Sequence, residues 1–230
     1  MIPLRDDAPR FSVPAITWFL IALNVLVFLF EVSLPVRQRE LFLYQFGVTP
    51  IEFTAHGVPS PWLTLFSSMF LHGSWLHLIS NMWVLWIFGD NVEDHIGHFR
   101  YLLFYLVCGV GASALQILLT PTSRVPSVGA SGAIAGVMGA YFVLFPAARV
   151  LTLVPFFFIF FTWLPAWIVL GYWFVVQFLS GAATSIGRTA STTGGGGIAF
   201  WAHVGGFASG LLLGKLLPAR HTRLRFQGYR

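Results

Sequence analysis

The sequence predicts an all-α membrane protein, a bundle of six transmembrane helices with both termini on the cytoplasmic side. Three observations carry that prediction. Hydrophobic residues make up 57% of the 230-residue chain and charged ones only 9%. A soluble domain averages nearer ~25% charged, so this composition cannot build a water-facing surface. Uncharged runs recur at lengths close to the ~20 residues that cross a bilayer. The basic residues fall mainly on alternate connections between those runs, the bias that orients membrane helices.

Residues 1–10 read as a short cytoplasmic tail. The first span is Phe11–Phe30. It is too long for the apolar region of a signal peptide and has no small-residue cleavage site before Glu31, so a cleaved leader is not expected. An external segment from Glu31 to Leu71 follows, broken by Pro35, Pro50, Pro59 and Pro61 and partly embedded. The second, third and fourth spans are Leu71–Gly89, Tyr101–Leu119 and Pro126–Pro146. The long run Val150–Ser180 contains Pro155 and Pro165, which break helices. The fifth span is therefore set at Pro165–Leu179, with the Phe-rich Pro155–Phe161 as an interfacial or connecting piece. Gly181–Gly197 ends in four glycines and is expected to be a mobile external loop. Ile198–Gly214 is the sixth span. A core of 11–217 and a basic cytoplasmic tail of 218–230 complete a single domain over 1–230.

With this arrangement nine of the 13 Lys and Arg residues lie inside: Arg5, Arg10, Arg100, Arg149, Lys215, Arg220, Arg223, Arg225 and Arg230. Arg37, Arg39, Arg124 and Arg188 lie outside. Splitting Val150–Ser180 into two spans would move the basic tail outside, so six is the better count. The net charge of +5 then needs no nucleic acid; the tail at most meets anionic lipid headgroups. Cys108 stands alone, which excludes a disulfide within the chain.

Polar residues inside a membrane are expensive and by default suggest a functional site. His77 and Asn81 lie early in the second span, Ser131 early in the fourth and His203 early in the sixth. These spans all enter from the same side, so the four residues share a depth of roughly 5–15 Å below the outer boundary. A serine hydroxyl becomes a nucleophile when a base takes its proton, and histidine is the usual partner. Ser131 sits in Gly129-Ala130-Ser131-Gly132, where small neighbours leave helix-start amides free to hold an oxyanion. Gly129, Gly132 and Gly136 on the fourth span and Gly206 and Gly210 on the sixth offer the small faces that let membrane helices approach closely. The four-residue spacing of His77 and Asn81 puts both on one helix face. Ser74 is placed to cap a helix beginning at Trp75, leaving His72 just outside it.

Soluble serine-hydrolase templates do not fit. Ala133 breaks the Gly-x-Ser-x-Gly elbow, and no strand precedes it. No Asp or Glu follows Asp94, so an acid cannot lie between serine and histidine in sequence, and a dyad without a carboxylate is the economical reading. Asn24, Gln116 and Gln177 read as structural polar groups bonded to neighbouring helices. The cluster Asp90, Glu93, Asp94, His95 and His98 reads as a solvated helix end rather than a metal site.

At these residues the chain closely resembles the rhomboid family of intramembrane serine proteases. The resemblance rests on His72-Gly-Ser-Trp-Leu-His77-Leu-Ile-Ser-Asn81, Gly89-Asp-Asn-Val-Glu-Asp94, Gly129-Ala-Ser-Gly132 and Ala202-His203 with Gly206 and Gly210. It implies Ser131 as nucleophile and His203 as general base. It implies an oxyanion hole from the backbone around Ala130 and Ser131 with His77 and Asn81, supported by His72. It further implies transmembrane protein substrates cut near the outer face, a lipid setting, no cofactor, and a multi-pass position expected in a bacterial inner membrane. Two departures stand out. Many relatives carry an aromatic residue where this chain has Ala135, stacked on the catalytic histidine. The Trp-Arg pair common in the first external loop is missing, since Trp62 precedes Leu63. Two other classes compete: an inactive rhomboid-like chaperone, which should lack nucleophile or base, and a transporter using His72, His77 and His203 as metal ligands.

Overall fold

The computed structural model describes residues 1–55, 61–155, 159–188 and 199–220. It opens with a strand, β1 (Ile2–Asp6), followed by α1 (Ala15–Ser33). The first external segment holds three short helices, α2 (Val36–Phe46), α3 (Pro50–Thr54) and α4 (Thr64–Ser67), and a 3-10 turn at Ser68–Phe70. Then come α5 (Trp75–Ile96), α6 (His98–Leu119) and α7 (Ser131–Leu144). A hairpin of β2 (Arg149–Pro155) and β3 (Ile159–Pro165) leads into α8 (Ala166–Arg188), and α9 (Phe200–Leu216) follows.

Each predicted span overlaps one helix: α1, α5, α6, α7, α8 or α9. Among the described residues three helices are long and apolar enough to cross a bilayer: α1, α6 and Ala166–Ser185 of α8. α7 is a shorter apolar helix, and α5 carries Asp90, Glu93 and Asp94 in its last two turns.

α7 is the centre of the bundle, buried at every residue from Gly132 to Tyr141. Its neighbour α9 lies backbone against backbone. A Cβ added to Gly206 would fall 1.9 Å from the Gly132 carbonyl oxygen, and one at Gly210 1.8 Å from that of Gly136. Gly132 and Gly136 turn their own missing side chains toward α6, against Ala112 and Cys108.

At the far end of α5 the acidic cluster is buried, not solvated. Glu93 is 0% exposed and Asp94 6%. A helix start leaves amides without partners. The Glu93 carboxylate accepts from the α1 amides of Ile16 and Thr17 at 2.9 and 2.7 Å and from the Thr17 hydroxyl at 2.7 Å. Asp94 accepts from the Phe11 amide at 3.1 Å and from the Ser12 hydroxyl. The acids of Gly89–Asp94 thus fasten α1 to α5.

Three expectations need correction. The chain is mostly helical but not all-α: β1, β2 and β3 form an antiparallel sheet in that order, with Ile2 opposite Leu153 and Arg149 opposite Pro165. Pro155 and Pro165 do exclude a helix, but the β-branched and aromatic residues beside them favour strands. The N-terminal tail is likewise a strand, held by Asp7 accepting from the Arg149 amide at 2.7 Å and its guanidinium at 2.8 Å. α8 continues past Leu179 to Arg188. Its Thr184 and Ser185 hydroxyls donate to carbonyls one turn back, and Ser185 also accepts from the Trp201 indole at 3.0 Å. The start of the predicted Gly181–Gly197 loop is therefore helix; positions 189–197 lie outside the described residues.

Candidate active site

The first turns of α5, α7 and α9 meet at one cavity of about 690 Å³. Its lining includes His77, Asn81, Ser131, Trp173, Gln177 and His203, with no charged side chain among the described residues. Ser131 opens α7 and His203 lies in the first turn of α9. Their side chains are joined, Ser131 Oγ to His203 Nε2 at 2.7 Å. The close α7–α9 approach makes this possible, since a methyl group at Gly206 or Gly210 would hold the helices apart.

The entry to α7 is fixed from outside the helix. Val48 and Ser127 exchange backbone hydrogen bonds at 3.0 and 2.8 Å, and the Gly129 amide donates to the Ser68 carbonyl at 2.9 Å. Gly129 has φ +127° and is not a helix-packing residue as its motif suggested. It precedes α7 and faces His77: a Cβ there would fall 2.7 Å from the ring and 3.7 Å from the Asn81 amide nitrogen. Ala130 is fully buried. The amides of Ser131, Gly132 and Ala133 open the helix ahead of its first bond, which runs from the Ile134 amide to the Ala130 carbonyl at 2.9 Å.

Ser74 caps α5 as the sequence predicts, accepting from the His77 amide at 3.2 Å. His72 is fully buried before that cap. The Asn81 amide nitrogen lies 3.0 Å from His72 Nε2 and donates to it, and the His72 ring lies 5.0 Å from that of His77. His72 is thus placed behind Asn81 and His77.

Residues not singled out in the sequence hold this group in place. The buried Glu31 carboxylate accepts from the His72 amide at 3.2 Å. The Arg39 guanidinium donates to the carbonyls of His72 and Gly73 at 3.2 and 3.1 Å and lies over Phe28. Arg39 in α2 therefore ties the external segment to the α5 entry without a Trp-Arg pair. The signal for Glu31 was available: an acid directly after an uncharged run is either at the lipid boundary or buried with partners.

On the other side of His203 stands α8. Gln177 Oε1 lies 2.8 Å from His203 Nδ1, and the Trp173 ring, one turn earlier, is 5.7 Å from the imidazole at 38°. Gln177 does bond a neighbouring helix, but its partner is the candidate base. Gln116 bonds the Ala202 amide on α9 at 3.1 Å, while Asn24 donates to Leu20 in its own helix. Among the described residues no group of three or more His, Cys, Asp or Glu is placed to hold a metal ion.

The fold and site define a class: a helical integral membrane protein with a serine hydroxyl and an imidazole joined inside the bundle. The chain belongs to the rhomboid family, its residues 59–220 matching the Rhomboid domain model. It is 36% identical over 129 residues to Rhomboid-like protein 11, chloroplastic, of Arabidopsis thaliana, covering 56% of this chain and 41% of that protein. It is 37% identical over 128 residues to the Rhomboid protease GluP of Bacillus subtilis, covering 55% and 24%. The match to the Rhomboid protease AarA of Providencia stuartii is 32% over 148 residues, covering 57% and 52%. In each case the match spans less than two thirds of the relative's length. Bacterial, chloroplast and mitochondrial proteins are among the relatives, so membership establishes an integral membrane setting but not which membrane.

Proposed function

We propose that this protein is an intramembrane serine endopeptidase that hydrolyses a peptide bond in or near the transmembrane segment of other membrane proteins. The observation that carries the reading is the 2.7 Å contact between Ser131 Oγ and His203 Nε2. In the proposed reaction Oγ attacks the scissile carbonyl carbon while its proton passes to Nε2. The carbonyl oxygen becomes an oxyanion, held by the free amides at the start of α7 and by donors from His77 and Asn81. His203 returns the proton to the leaving nitrogen as the C–N bond breaks, leaving an acyl-enzyme. Water then adds to the ester carbonyl, again giving its proton to His203, and Ser131 is released.

Six crossings with both termini in the cytoplasm accord with the distribution of basic residues and put this chemistry in the outer half of the bilayer. The names of GluP and AarA as rhomboid proteases support the activity. The test is cleavage of a transmembrane substrate in proteoliposomes. Ser131→Ala and His203→Ala are each expected to abolish it with the fold retained; turnover at the unmodified rate by either variant would dismiss the proposal.

A further inference from the structure

The geometry points to Gln177 as a positioning residue for His203: its side-chain oxygen completes a serine–histidine–glutamine relay that selects the working imidazole tautomer. The inference rests on the reading of Ser131 and His203 as nucleophile and base.

Neutral imidazole carries one N–H, and the hydrogen bond made by one ring nitrogen decides the state of the other. Gln177 Oε1 is 2.8 Å from Nδ1. An amide oxygen only accepts, so this contact requires the proton on Nδ1. Nε2 is then left with a lone pair, and it is Nε2 that meets the Ser131 hydroxyl at 2.7 Å. The opposite tautomer would set an N–H against the hydroxyl and leave Nδ1 and Oε1 as two facing acceptors. When Ser131 passes its proton to Nε2, the imidazolium keeps its Nδ1–H bond to Gln177, so the ring need not turn during the step.

No carboxylate among the described residues takes this place. No Asp or Glu follows position 94, and no charged side chain lines the cavity among the described residues. The titratable side chain that shares the cavity is His77 on α5; α7 presents Ser131, and α8 presents Gln177 and Trp173. Ala135 is fully buried, where a Cβ on Gly206 would already come 3.3 Å from its own Cβ. Its methyl brings no ring to the imidazole. The aromatic face against the imidazole comes instead from Trp173, one turn from Gln177 on the same face of α8. Both restraints on the base are thus carried by a helix other than the two that carry the dyad.

The test uses the full chain in proteoliposomes, with Gln177→Leu and Gln177→Glu beside the unmodified protein and Ser131→Ala. Two rates are read: covalent labelling by a fluorophosphonate, and steady-state cleavage resolved into kcat and KM. Gln177→Leu is expected to slow labelling and lower kcat by at least about 10-fold, part of the ~10²–10⁴ that a general base contributes, with KM unchanged. Gln177→Glu, whose carboxylate can only accept, is expected to restore both rates. Full rates in Gln177→Leu, or a loss that Gln177→Glu does not rescue, would overturn the relay. An independent measurement needs no variant: in protein with ¹⁵N-labelled histidine, the neutral His203 ring should carry its proton on Nδ1, and a proton on Nε2 would overturn the inference. Labelling that persists in Ser131→Ala would instead defeat the underlying dyad.

Discussion

His72 shows how much of the site is arranged before any substrate enters. Its amide is taken by Glu31, its carbonyl by Arg39 and its Nε2 by Asn81. Asn81 is thereby held beside His77 on the cavity wall, opposite Gly129, whose positive φ excludes a side chain that would collide with the His77 ring. If these two groups hold the oxyanion, changing both His77 and Asn81 to Ala should reduce kcat by about 10²–10³-fold while Ser131 and His203 stay in contact. An unchanged kcat in substrate cleavage would return them to a purely structural role. At this scale the sequence was informative where a polar residue had company. Ser131, His203, His77 and Asn81 stand at matching depths in alternate runs, which marks them together. Gln177 stands alone in an apolar helix, as Asn24 does. Asn24 bonds Leu20 one turn back, and no local pattern separates the two cases.

Among the elements, the α7–α9 pair sets the distance on which the site depends. Gly210→Ala would drive a methyl into the Gly136 carbonyl. It should cost about 1–3 kcal/mol and lower activity by parting Ser131 from His203. Gly171→Ala on α8, where a Cβ meets only an ordinary 3.7 Å contact, is the control and should leave the unfolding midpoint unchanged or raised. Equal midpoints in the two variants would contradict this packing account. The sheet is the element least legible in the sequence. Val150–Val154 and Ile159–Leu164 are as apolar as a span, and residues 2–6, which pair with β2, lie far away in the chain. That pairing places Asp6 against Tyr141, whose hydroxyl donates to it. Burial pushes the Asp6 carboxyl up to about 6 from 3.8, opposed by the Tyr141 bond and helped by nearby Asp90. A carboxyl raised in the folded state lowers stability above its folded value, and that cost fades as pH falls toward the unfolded one. Asp6→Asn should therefore raise the unfolding midpoint at about pH 7.5, the gain shrinking through pH 6 and vanishing near pH 4. A gain independent of pH would rule out that cause.

For the whole molecule, one bundle carries polar clusters at its two ends with opposite purposes. At one end Glu93 and Asp94 fasten the start of α1 to α5. At the other, the openings of α5, α7 and α9 leave a cavity with Ser131 and His203 on its wall. The runs in the sequence announced which helices would form this bundle, because bilayer length and lack of charge are local properties. They did not announce that α8 extends to Arg188, since Gly181, Thr184 and Ser185 have loop composition. Their helix is fixed by bonds within the turn and by Trp201 from α9. In the proposed reaction the imidazole at 203 activates the hydroxyl at position 131. Fluorophosphonate labelling of the reconstituted protein, with the modified residue located by peptide mass analysis, addresses it most directly. Label should fall on Ser131 alone and be lost in His203→Ala; label on another serine, or undiminished labelling in His203→Ala, would contradict the claim.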